Sequence, residues 1–164
     1  MVKDGFGIAE NLPSSLDEGE NIVKSCTYEG YLILSSICLD EMLTNAIALK
    51  GYEKLCCMNT RFTVVCSDLC GFLNRVYGCS SFSKNEILLK IEEILINIDA
   101  PELVYVYWMK CKEDRIVYKS GHSENRYIRS LKDYLRNQKS NEWIHSTDTG
   151  DESEKLLEML IQLN

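Results

Sequence analysis

The sequence predicts one α+β domain, with helices packed on a small antiparallel sheet made of two hairpins. Three observations predict it. Apolar residues recur at three- and four-residue spacing in several segments bounded by capping residues, the pattern of amphipathic helices. Two other segments, 53–66 and 102–119, carry β-branched and aromatic runs around short polar turns, the composition of hairpins. The 164 residues, 45% hydrophobic and 26% charged, suffice for a core without disulfides or metals. The alternative is an all-α bundle of six to seven helices, because 61–77 also fits a helical period and Asp99, Pro101 and Glu102 can start a helix.

Taken in order, residues 1–20 form a flexible acidic arm, with Phe6, Ile8 and Leu12 available for docking. The globular domain spans 21–138. Ile22, Val23 and Cys26 lead into it, and Leu34, Ile37, Cys38, Glu41, Met42, Asn45, Ala46 and Leu49 place a helix over about 31–49, stopped by Gly51. In the first hairpin Phe62, Val64 and Cys66 share one strand face, with Asn59-Thr60 as the turn. Ser67 or Asp68 caps a helix over Leu69–Tyr77 that stops at Gly78. Ser83 and Glu86 form a capping box, and the helix they start is apolar nearly all round, so burial is expected.

That helix ends before Asp99-Ala100-Pro101, since the residue before proline is pushed out of the α region. The second hairpin joins Val104–Trp108 to Ile116–Tyr118 through Lys112–Arg115. Ser123 caps a helix over 124–138 with Tyr127, Ile128, Leu131, Tyr134 and Leu135 as its core stripe. A polar linker over 139–150, with Trp143-Ile144 as a docking point, leads to an amphipathic helix over 151–164.

Net charge is −7, unevenly spread. Residues 110–139 hold nine Lys or Arg against four acids, while both ends are acidic. The basic surface comprises Lys110, Lys112, Arg115, Arg126, Arg129, Lys132, Arg136 and Lys139. It fits phosphates or an acidic protein. Tyr105, Tyr107, Trp108 and Tyr118, together with Leu156, Leu160 and Leu163, are the interface candidates, because aromatic anchors dominate hot spots and apolar helix faces fill grooves.

Chemical motifs are absent. No phosphate-cradling glycine loop and no C-x₂-C pair occurs, and His122 and His145 sit in polar loops outside any triad context. Cys56, Cys57, Cys66, Cys70 and Cys79 are the only thiol cluster, and the eight cysteines read as reduced core residues. No catalytic residue, cofactor, metal or small-molecule ligand is therefore expected. Neither a bilayer-spanning run nor a secretory leader pattern is present, so the expected location is cytoplasmic or nuclear, with no membrane contact.

The function expected is a non-catalytic protein–protein interaction module: an adaptor, regulatory subunit or inhibitor, self-associating as a homodimer through the second hairpin. One alternative is a nucleic-acid-binding protein using the basic face of 124–138. The other is a small enzyme, which predicts a concave pocket holding His122 beside Cys or acidic neighbours.

Overall fold

The computed structural model of the chain describes residues 27–163. The arm at 1–20 and the lead-in residues Ile22, Val23 and Cys26 lie outside them. In chain order the elements are β1 (Tyr28–Ser35), α1 (Asp40–Leu49), β2 (Cys56–Val65), α2 (Leu69–Gly78), α3 (Lys84–Asn97), β3 (Leu103–Lys112), β4 (Arg115–Val117), β5 (Ser123–Asn125), α4 (Arg126–Gln138), β6 (Ile144–Ser146) and α5 (Gly150–Leu163). The class is α+β, and the all-helical alternative is excluded.

An antiparallel four-stranded sheet in the order β2-β3-β1-β6 divides the core into two halves, and β4 and β5 form a separate ribbon. Alternation along each strand sends neighbours to opposite faces. Leu32, Leu34, Val104 and Val106 pack with α2, α3 and α5, while Tyr31, Ile33, Tyr107 and Met109 pack with α1 and α4. The sheet thus lies between two helical layers.

That sandwich explains the first correction. The helix expected over 31–49 is a strand, β1, followed by α1. Tyr31 to Ser35 are all fully buried because helices cover both faces. Burial on both faces erases the polar–apolar alternation that marks a strand. Gly51, at φ 72, ends α1 as expected.

The two hairpins are also rearranged. Asn59-Thr60 is no turn: β2 runs through it, with an irregularity between Met58 and Thr60 where the pairing to β3 shifts. The segment 102–119 does not fold on itself. β3 pairs with β1 and β2, while β4 pairs with β5. Asp68 caps α2, and the Ser83–Glu86 capping box opens α3. α4 is capped by Asn125, whose side chain accepts from Tyr127 N and Ile128 N at 3.0 Å; Ser123 lies in β5.

Two further differences set up the functional surfaces. α3 is not buried all round: among its residues only Ile91 is fully enclosed. Residues 139–150, expected as a linker, supply β6, whose residues are buried against β1. α5 follows as an integral layer through Leu156 and Leu160, both with no exposure.

Candidate functional site

The predicted interface residues do not share a surface. Tyr107, Leu156 and Leu160 are core, and β3 carries partners on both edges, so no second copy pairs with it. Trp108 is half-buried, its ring lying over Gly30, which leaves no room for a Cβ there. Tyr105 is half-buried with the Arg61 guanidinium 5.9 Å from its ring centre. Tyr118 and Leu163 are exposed, the first on the β4–β5 turn and the second at the end of α5.

The basic residues are mostly spent inside the fold. Arg129 binds Glu124 at 2.9 Å and Asp133 at 3.0 Å. Arg136 donates to the Ile144 carbonyl through Nη2 at 2.6 Å and Nε at 3.0 Å, which fastens α4 to β6. Arg126 pairs with Asp114 at 3.3 Å. Arg115 pairs with Glu113 and donates to Tyr31 and Ser123 hydroxyls. Lys132 is not a surface residue at all: it is buried beneath α4, and burial, reinforced by Arg136, pulls its ammonium below the usual lysine range. Lys110 and Lys112 are half-buried on β3, leaving Lys139 exposed at the α4 terminus.

Two features of the described surface are candidates for function. The first is the outer side of α3. Leu88 (58% exposed), Leu89 (66%), Leu95 (41%) and Ile96 (82%) fall at i and i+7 pairs that form one stripe, with Glu92 at its centre. No described element covers it.

The second is a polar cleft of about 360 Å³ lined by Cys79, His122, Asp148, Glu152 and Lys155, among others. His122 comes from the β4–β5 turn, shaped by Gly121 at φ 91. Its imidazole stacks between Tyr118 (centroids 5.8 Å) and Phe82 (6.2 Å), which fixes the ring plane. Its Nε2 lies 3.2 Å from Glu124 Oε2 and 3.4 Å from Asp148 Oδ2. Asp148 follows β6, and its amide donates to Glu152 Oε1 at 2.9 Å. Among the described residues, His122, Glu124 and Asp148 are a group with metal-ligand atoms within 4.8 Å of one another; the cysteines form no such group.

Burial tunes these groups in opposite directions. It pushes the Glu152 carboxyl up to about 7 and raises Asp148, while it holds the His145 imidazole well below its usual value, helped by Lys132 and Arg136. For Glu124 burial also pushes upward, but the Arg129 hydrogen bonds and the Lys132 charge outweigh it, so its carboxyl stays below the normal range. His145 Nε2 and Glu152 Oε2, 3.9 Å apart, are buried with no hydrogen-bond partner.

Sequence reasoning singled out His122 and His145 but missed Glu124, Asp148 and Glu152. His122 and Glu124 stand two apart entering a strand, a spacing that aligns side chains and was legible. Asp148 is joined to them only by the placement of β6. No family profile, curated protein or solved structure matches this chain.

Proposed function

We propose that the protein is a non-catalytic interaction module that docks a partner on the outer face of α3. The observation that carries this reading is the stripe of Leu88, Leu89, Leu95 and Ile96 on a helix with one fully buried residue. Exposed contiguous apolar surface on a helix is costly in water and marks association surfaces.

Glu92 in the middle of the stripe selects the partner's chemistry. Docking removes water from this carboxylate, which is unfavourable unless a cation faces it. Two copies related by an axis through mid-helix would set Glu92 against Glu92. The reading is therefore a different protein, whose apolar segment carries Lys or Arg. This replaces self-association through the second hairpin.

A photo-crosslinker at position 89 identifies the segment that lies there. Leu89→Glu with Ile96→Glu should weaken its binding at least about tenfold, while stability stays within about 0.5 kcal/mol because both positions are exposed. Glu92→Lys should also weaken binding, and reversal of the partner's facing cation should restore it. Unchanged affinity in the double variant, or crosslinks only to a second copy, rejects the reading.

Enzymatic chemistry draws support from the His122 cleft, which has the Cys and acidic neighbours that reading requires. The thiol in it is not activated, however. Burial raises Cys79, and its Sγ approaches the Arg75 carbonyl at 3.5 Å instead of a base.

A further inference from the structure

We propose that His122, Glu124 and Asp148 form a binding site for a divalent transition-metal ion, with Glu152 at its margin. The spacing of the imidazole nitrogen to each carboxylate matches such an ion, and the three ligand atoms all lie within 4.8 Å of one another. A metal 2.0–2.1 Å from its ligands in tetrahedral geometry sets neighbouring ligand atoms about 3.3 Å apart. His122 Nε2 stands 3.2 Å from Glu124 Oε2 and 3.4 Å from Asp148 Oδ2. One imidazole with two carboxylates suits Mn²⁺, Co²⁺ or Zn²⁺ better than Ca²⁺ or Mg²⁺, which prefer oxygen alone.

The surroundings act as a metal site's outer shell does. Stacking between Tyr118 and Phe82 orients the imidazole, and Arg129 Nη1 donates to both Glu124 oxygens at 2.9 and 3.0 Å. A carboxylate has about four lone-pair sites, so these two bonds leave room for a metal.

Glu152 lines the same cleft with His122 and Asp148. Its Oε1 accepts from the Asp148 amide at 2.9 Å, and its Oε2 is turned away toward His145 Nε2, 3.9 Å off. Lys132 and Arg129 oppose a further cation, which makes the site weaker than a cage of carboxylates alone.

Mn²⁺ binding to the full chain, followed by loss of the free-ion electron paramagnetic resonance signal, tests the site. Saturable one-to-one binding is expected, undisturbed by excess Mg²⁺. His122→Ala and Asp148→Asn should each weaken it by about tenfold or more. In the wild-type chain, paramagnetic broadening of NMR signals should centre on residues 121–124 and 147–152, a readout that does not depend on the variants folding. Co²⁺ should bind without a thiolate charge-transfer band. Broadening centred elsewhere, a thiolate band, or no saturable binding would overturn the site and leave the cluster as an internal ion-pair network.

Discussion

The Tyr107 hydroxyl donates to Asp40 Oδ1 at 2.8 Å and accepts from the Leu39 amide, linking β3 to the start of α1. That hydrogen bond is the main reason the Asp40 carboxyl lies below its usual value, with Arg61 adding to it. A depressed carboxylate contributes stability that is present above its unfolded pKa and is lost as pH falls through the folded one. Tyr107→Phe should move the Asp40 NMR titration midpoint upward. It also strands the buried Leu39 N–H, a cost of about 1–3 kcal/mol by urea denaturation. An unmoved Asp40 midpoint would show that another group holds it down. At this scale the sequence is most ambiguous: tyrosine suits an interface and a hydrogen-bonded core equally. Tyr107 and Tyr118 look alike in composition, yet one is core and the other exposed.

At the scale of elements, several local signals worked because the local chain supplies the physics, although the Ser123 cap gave way to Asn125. Asp68, the Ser83–Glu86 box and Gly51 act on their own helix ends, so they were legible. β1 was not, since two-sided burial depends on helices far away in the chain. Gly30 marks the strand in retrospect: the Trp108 ring on β3 occupies the place of a side chain. Gly30→Ala should displace that ring, shift the tryptophan fluorescence and cost about 1–3 kcal/mol. Wild-type stability and spectrum in this variant would contradict the close approach. α3 departs from expectation in the other direction. Its apolar composition suggested burial, but it packs at the outside of its layer and keeps a second apolar stripe exposed.

For the whole molecule, the C-terminal segment is the test of architecture. Trp143, Ile144, Leu156 and Leu160 are all buried, and the Trp143 indole donates to Tyr77 Oη at 3.1 Å. Thr147 exchanges hydrogen bonds with Leu32 on β1, its amide donating and its Oγ1 accepting. Each large apolar side chain contributes roughly 1.5–3 kcal/mol on burial. Losing four takes away about 6–12 kcal/mol, against a domain stability of about 5–15. Truncation after residue 142 should therefore abolish the cooperative melt followed by circular dichroism. A truncated chain that still melts cooperatively would mean the segment is an appendage after all.

The sequence by itself determined the α+β class, most helix caps and stops, and the concentration of positive charge between 110 and 139. These follow from periodicity, capping chemistry and composition, which act over a few residues. Only the tertiary structure decided which apolar faces are covered, which cations are already paired, and which carboxylates meet His122. Arg129, Lys132 and Arg136 recur three and four residues apart on one helix, but Glu124 and Ile144 take up two of them and burial the third. Asp148 reaches His122 because β6 joins the sheet beside β1. Contacts between residues remote in sequence arise from packing layers against one another, and no short window of the chain contains that information.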